Sequence, residues 1–430
     1  MSVKKTAGEV LGSSESQASS EFSWRTLFNG AVVVSALGYF VDIYDLLLFN
    51  IVRIPSLREL GLTGQELSAG AFLHNTQMVG MMVGGVLWGV LGDKRGRLSV
   101  LFGSIFLYSI ANLLNAWVAS YEQYAVLRFL AGVGLAGELG AGITLVAESL
   151  PSALRGYGTM LVATVGVSGA IVAGWLGQVL HWRTCYGIGG GLGLLLLALR
   201  IGVLESGLYE GVLKKANVVR GNFFELFKTR ERFVRYLCCI LIGIPVWYVI
   251  GILVAYSPEF AKALGTSEPV IAAKSVMWCY AGLVAGDLLS GLISQWLKSR
   301  LKVVLLFLGL TATSVVTYLL QSSPTASTLY GLCFLLGLGT GYWAVLVTIA
   351  VEQFGTNLRA TVGTTVPNFV RGSVVPASLL FLALKEPLGI IGSAALVGVI
   401  ELSLALIALK YLKETFGKSL QFIEGDGELL

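Results

Sequence analysis

Apolar residues fall in a dozen long runs separated by short polar connections, over 26–53, 68–91, 98–120, 124–148, 156–180, 185–204, 234–257, 272–296, 302–320, 327–350, 361–384 and 388–411. Each run holds about 20 to 28 residues, enough at 1.5 Å per residue to cross a hydrocarbon core about 30 Å thick. The pattern predicts twelve transmembrane helices and an all-α membrane protein. Composition agrees: 55% of residues are hydrophobic and 13% charged, against roughly 25% charged in soluble domains. The 54 glycines suit helices that pack closely in lipid.

The first 24 residues are polar and Ser-rich with no apolar stretch before Trp24, so the first span is expected to be retained rather than cleaved as a signal. Cys185, Cys238, Cys239, Cys279 and Cys333 lie in or beside apolar runs without metal-ligand spacing. They read as small packing residues, and no metal or cofactor is expected. Counting Lys and Arg by side places 22 on the side of the N-terminus and six (Arg53, Arg58, Arg183, Lys262, Lys274, Lys385) on the other. By the positive-inside rule both termini are cytoplasmic. This bias accounts for the net charge of +5 without a nucleic-acid partner.

The polar stretch 205–232 divides the chain into a tail 1–24, a six-helix bundle 25–204, a linker, a second bundle 233–413 and a tail 414–430. ESLPSALRG from Glu148 recurs as EQFGTNLRA from Glu352, with Glu and Arg seven residues apart in both. GVLGDKRGR from Gly89 has a counterpart GLISQWLKSR from Gly291. Features repeated at equivalent places in the halves indicate a duplicated unit.

GVLGDKRGR resembles the loop signature between helices two and three of the major facilitator superfamily, and RFLAGVGLAGE from Arg128 resembles its helix-four motif. The resemblance covers nearly the whole chain and implies two pseudo-symmetric six-helix bundles, alternating access and a monomeric working unit in a plasma or bacterial inner membrane. Two departures occur: Leu98 stands where the first loop often has a second basic residue, and Gln295 replaces the acidic residue of the second.

A charge at mid-bilayer costs about 2.5 to 3.5 kcal/mol even on mild insertion scales, so buried charges must face a cavity or one another. GYFVDIYDLLLFN in the first span places Asp42 and Asp45 on one helical face. Arg128 of the fourth span falls at a depth similar to Asp45. The two are expected to be neighbours, either as a permanent ion pair or as a switch in which moving the guanidinium changes whether Asp45 holds a proton. The DxYD stretch resembles the acidic pair of aromatic acid:H+ and metabolite:H+ symporters, and GLAGE ending at Glu138 resembles the metabolite:H+ pattern. That likeness implies proton coupling through Asp42, Asp45 and Arg128.

VPNFVRG puts Asn368 and Arg371 near the middle of the eleventh span. Arg371 suits a carboxylate or phosphate ligand, or pairs internally with Asp287 or Glu401. Trp247 and Tyr248 follow Pro245, and Tyr342 and Trp343 follow a glycine-rich run. These four either line a pocket or serve as packing. His74 and Gln77 share a face near the depth of Asp45, where His74 joins the proton path or sits as a satisfied interior residue. At the cytoplasmic end, Gly89, Asp93, Gly96, Arg97, Glu148, Arg155, Glu352 and Arg359 resemble the inner salt-bridge gate of sugar porters and related families.

The leading expectation is a secondary transporter that symports a small polar, anionic metabolite with protons. Alternatives are a sugar porter or uniporter, a drug antiporter, and a non-transporting nutrient sensor. IGIPVWYVIG in span seven lacks the paired glutamines of sugar porters, and VGVSGAIVAGW in span five lacks the GlyPro step of antiporters. An enzyme would need a reactive constellation, and a lone His74 among scattered cysteines supplies none.

Overall fold

The computed structural model describes residues 30–95, 97–138, 146, 150, 155–205 and 223–417. In the first half, α1 runs Gly30–Glu59, α2 Glu66–Arg95, α3 Arg97–Asn115, α4 Tyr121–Leu135 and α6 Trp182–Glu205, while α5 is the pair Arg155–Val167 and Gly169–Val179. In the second half, α7 is assembled from Arg230–Leu241, Ile244–Tyr248, a π-helical turn Val249–Val254 and Ser257–Ala263. Next come α8 (Ala272–Leu297), α9 (Arg300–Leu319) and α10, made of Ala326–Thr340 and Trp343–Glu352. Thr356–Gly372 begins α11; the segment Val374–Tyr411 completes it and, beyond a non-helical Gly389, forms α12.

The twelve helices expected from hydropathy are present. Among the described residues, eight stretches meet the length and composition of a membrane crossing, one of which, Thr361–Tyr411, contains two spans. This is an integral, multi-pass membrane protein.

Polar punctuation sets the helix starts. Ser120, Thr229, Ser299 and Thr325 each accept a hydrogen bond from the backbone N–H three residues on, capping α4, α7, α9 and α10. The start of α9 is further held by Glu414, which accepts from the Ser299 hydroxyl and from the N–H groups of Arg300 (2.9 Å) and Leu301 (3.3 Å). Burial opposes the Glu414 charge, yet these bonds hold its carboxyl below the ordinary carboxylate range.

Within the first half α1 packs on α5 and α6, α2 on α4, and α3 on α4 and α6; in the second half α8 and α9 pack on α10, and α7 on α12. The halves meet chiefly along α2–α11 and α5–α8. Helices α7 and α10 are both interrupted in mid-span, the first at Gly243 and the π turn, the second at Gly341–Tyr342. Such breaks survive in a bilayer only where other groups re-satisfy the freed backbone. Here the Tyr342 hydroxyl donates to the Ile242 carbonyl (3.0 Å), joining one break to the other.

The α10 break also depends on a close approach: a Cβ on Gly341 would lie 2.4 Å from Gly286 Cα and 2.7 Å from the Asp287 nitrogen of α8. Gly341→Val must therefore push α8 and α10 apart. Overpacking of this kind costs about 1–3 kcal/mol, so the detergent-solubilised variant is expected to melt several degrees below wild type. An unchanged melting temperature would show that the two helices are not tightly joined.

Candidate functional site

The heptad-like spacing of Asp42 and Asp45 on α1 aims both carboxylates into the protein, and both residues are fully buried. Asp42 reaches across to the other half: its Oδ2 lies 3.7 Å from Arg371 Nη2. Arg371 therefore pairs with Asp42, and not with Asp287 or Glu401. The Arg371 guanidinium also lies over the Trp343 ring, 5.8 Å from its centroid. Among the described residues, its Nε and Nη1 meet no hydrogen-bond partner, nor does either of the Asp42 oxygens. The contact is thus an ion pair slightly too long to be a hydrogen bond, and most of the guanidinium's donor capacity is unused.

Asp45 lies within electrostatic reach of Arg128 and beside Asn112. No hydrogen bond joins Asp45 to Arg128. The guanidinium instead donates to the Tyr186 hydroxyl (3.2 Å) and, at the limit of a hydrogen bond, to Asn112 Oδ1 (3.5 Å). Tyr186 shares a 2.7 Å hydrogen bond with Tyr124. Phe49 and Tyr186 flank the guanidinium, with centroids 5.7 and 5.5 Å away. Asn112 and the two tyrosines carry no charge and are remote in sequence, so the hydropathy pattern gives no signal for them.

His74 is buried, and neither ring nitrogen meets a hydrogen-bond partner among the described residues. It lies on α2 opposite Gly251 in the π turn of α7. Gln77 donates to the Leu46 carbonyl of α1 (3.4 Å). Asn368 donates to the Ala136 carbonyl beyond α4 (2.9 Å), a second polar contact between the halves.

A further buried ion pair joins Glu138 to Arg200 through both guanidinium Nη groups, one contact at 3.1 Å. Arg200 falls within the sixth span, 185–204, near its cytoplasmic end, where its guanidinium would be expected to reach the surface. It is instead only 4% exposed, because its stem brings the guanidinium inside α6 to a carboxylate 62 positions away. Gly38 of α1 lies directly over the pair, and any Cβ there would collide with Glu138 Oε1 and the Arg200 guanidinium.

The four aromatic candidates separate. Trp343 lies beside Arg371. The Tyr248 hydroxyl is committed to the Ala394 carbonyl (2.7 Å) and the Tyr342 hydroxyl to Ile242, both within the second half, and Trp247 is 3% exposed. Tyr39, which carries no charge to mark it in the sequence, sits among Arg371, Asp42, Asp287 and the Trp343 indole. Asp287 accepts from the Ala344 N–H (3.1 Å) at the start of the second helix of α10. Glu401 is buried near Tyr248 and Tyr342, and its Oε2 has no partner.

Of the expected gate, Gly96 and Glu148 and the side chains of Asp93, Arg97, Arg155 and Arg359 lie outside the described residues. Gly89 has open space around it. Glu352 contacts Arg300 Nη2 (3.5 Å) and accepts from the Thr415 hydroxyl (2.6 Å). At the opposite end, where α1 ends and α7 meets it, Arg53 clamps the halves together. Its guanidinium donates to Glu259 (2.7 Å), to the Ala255 carbonyl (3.3 Å) and to the Glu66 carbonyl (2.9 Å), and lies over the Tyr256 ring. Arg53, the last residue of the first predicted span and one of the six charges counted on the outer side, is only 1% exposed.

Two helical halves are joined by a buried, incompletely paired arginine, with a charged clamp at one end. Residues 35–378 match the family model of the Major Facilitator Superfamily, and the chain belongs to that family. It is therefore a membrane transporter of small solutes rather than an enzyme. The 3-(3-hydroxy-phenyl)propionate transporter of Escherichia coli is 27% identical over 69% of this chain and 72% of its own length. The gentisate transporter of Corynebacterium glutamicum is 24% identical over 92% and 93% respectively. The crystal structure of a D-xylose-proton symporter superposes with a TM-score of 0.66 at 18% identity, covering 90% of this chain and 99% of that one.

Removing Arg53 leaves Glu259 partly buried against an apolar end. Arg53→Gln is expected to loosen the clamp, so that a cysteine placed at Ser257 reacts roughly tenfold faster with a membrane-impermeant thiol reagent, the effect of a shift of about 1.4 kcal/mol. Equal reaction rates would mean the clamp does not restrain this end.

Proposed function

We propose that this chain is a proton-coupled symporter for small organic anions bearing a carboxylate, with Arg371 as the anion anchor and Asp45 and Arg128 as the coupling pair. The observation that carries the reading is the Arg371 guanidinium, buried between the halves with Nε and Nη1 unbonded. A buried cation with unmet donors favours a ligand that brings charge and two acceptor atoms, and a carboxylate supplies both in the guanidinium plane. Trp343 beside it, with Tyr39 and Tyr280 close by, offers aromatic faces to the rest of such a molecule. Relatives named for hydroxyphenylpropionate and gentisate support an aromatic acid in particular.

Coupling follows from charge. An anion entering beside Asp42, Asp45 and Glu138 adds negative charge where several carboxylates already sit in low dielectric. Admitting one proton to Asp45 with each anion leaves the charge of the centre unchanged. Arg128 can favour or release that proton as the halves rock, because it already rests on Asn112 and Tyr186 rather than on the carboxylate. On the positive-inside orientation, the Arg53 clamp closes the outer end.

In proteoliposomes under an inward proton gradient, Asp45→Asn is expected to abolish uphill accumulation of gentisate while retaining exchange of internal for external solute. Full accumulation by that variant would remove Asp45 from the mechanism. Arg371→Ala should weaken binding of gentisate roughly tenfold or more, the worth of one charge-assisted contact, and leave a neutral analogue such as the corresponding amide little affected. Equal losses for acid and amide would sink the anion assignment.

A further inference from the structure

The second helix of α10, Trp343–Glu352, starts inside the membrane, and its first N–H groups point away from any preceding turn. Asp287 of α8 meets them. Its Oδ1 accepts the Ala344 N–H at 3.1 Å, with the Trp343 N–H alongside. Tyr342, in the N-cap position, makes no side-chain cap of its own. The capping group therefore comes from a different helix, held in place because Gly341 lies flush against Gly286, the residue before Asp287. A carboxylate there is favoured by the partial positive charge of the helix start as well as by the hydrogen bond.

The residue so fixed is Trp343. It is the first residue of the capped helix, its ring lies under Arg371, and its indole lies beside Tyr39. Without the bond from Asp287, the helix start is free to fray at a place where α10 is already broken, and Trp343 loses its fixed relation to the guanidinium.

We propose that Asp287 is a positioning residue of the anion site: by capping the second helix of α10 from α8, it sets Trp343 against Arg371 and so determines affinity for a carboxylate substrate. This rests on the reading of Arg371 as the anion anchor. Asp287 does not itself touch the substrate. Its second oxygen, Oδ2, is buried without a partner, so the cap uses one oxygen of the two. An amide, whose oxygen accepts in the same way, should then serve almost as well as a carboxylate.

The test measures gentisate KM and maximal rate in counterflow, which needs no proton gradient, together with gentisate Kd for the purified protein. Asp287→Ala is expected to raise KM and Kd roughly tenfold, the size of a lost cap, with a smaller change in maximal rate. Asp287→Asn is expected to recover most of that loss. Ala344→Pro removes the donor instead of the acceptor, in the first turn of the helix, where that N–H has no intrahelical partner to lose. It should reproduce the Asp287→Ala effect, and the double variant should be no worse than either. This second route keeps the proposal testable if Asp287→Ala fails to fold.

Three results overturn it. If Asp287→Ala or Ala344→Pro leaves KM unchanged while Arg371→Ala abolishes binding, Asp287 does not position the site, although the anion reading stands. If Asp287→Asn binds gentisate more tightly than wild type, the carboxylate competes with substrate rather than arranging its site. If wild type binds no gentisate, or Arg371→Ala binds it normally, the anion reading fails and this inference falls with it.

Discussion

Burying charge in a low-dielectric interior is costly unless a partner is close, and a partner on the other half of the molecule ties the halves together. Asp42 on α1 and Arg371 on α11 form such a tie, at 3.7 Å and with both side chains almost wholly excluded from solvent. The pair is loose enough that two guanidinium nitrogens remain unbonded. Tighter pairing would make a structural staple. Complete separation would leave two unpaired buried charges. The intermediate geometry suits a protein whose halves must part and rejoin around a solute, because either half can give up the contact when an equivalent charge arrives.

The other buried charges arrange themselves around that tie. Glu138 and Arg200 are locked by two contacts within the first half under a bare Gly38, so this pair braces one bundle and does not bridge two. Arg128 rests on neutral oxygens, Asn112 and Tyr186, which leaves Asp45 close but unbonded. In the second half, Asp287 is spent on a helix start. Arg53 closes one end of the interface with three hydrogen bonds from a single side chain. The Glu138–Arg200 pair lies inside one bundle, whereas Asp42–Arg371 and Arg53–Glu259 lie between the bundles.

Helix α7 departs from regularity by a π turn and α10 by an outright break, and they are joined by Tyr342 donating to Ile242. The freed backbone groups are met by side chains from neighbouring helices: Tyr342 serves the α7 carbonyl and Asp287 the α10 N–H. Each break is therefore stable only in the assembled bundle. The Tyr342 hydroxyl carries out this backbone repair and the Tyr248 hydroxyl is held by the Ala394 carbonyl of α12, while Trp343 lies beside Arg371.

The spans, the twofold repeat and the family signature were readable in the linear sequence because membrane insertion is decided locally: a run either holds about 20 apolar residues or it does not. Isolated charges inside those runs, Asp42, Asp45, Arg128 and Arg371, were visible for the same reason, since each stands out against its neighbours. Their partners were not. Arg371 lies 329 positions from Asp42, and Arg200 lies 62 from Glu138, so pairing is set by which helices adjoin and how each is rotated. Depth alone matched Asp45 with Arg128, but it could not reveal that Asn112 and Tyr186 stand beside the guanidinium. Arg53 and Arg200 stand at the ends of their spans, and hydropathy locates only a backbone, whereas a guanidinium can reach about 6 Å or more from its own Cα. Only the tertiary packing decides where that end of the side chain finds its partner.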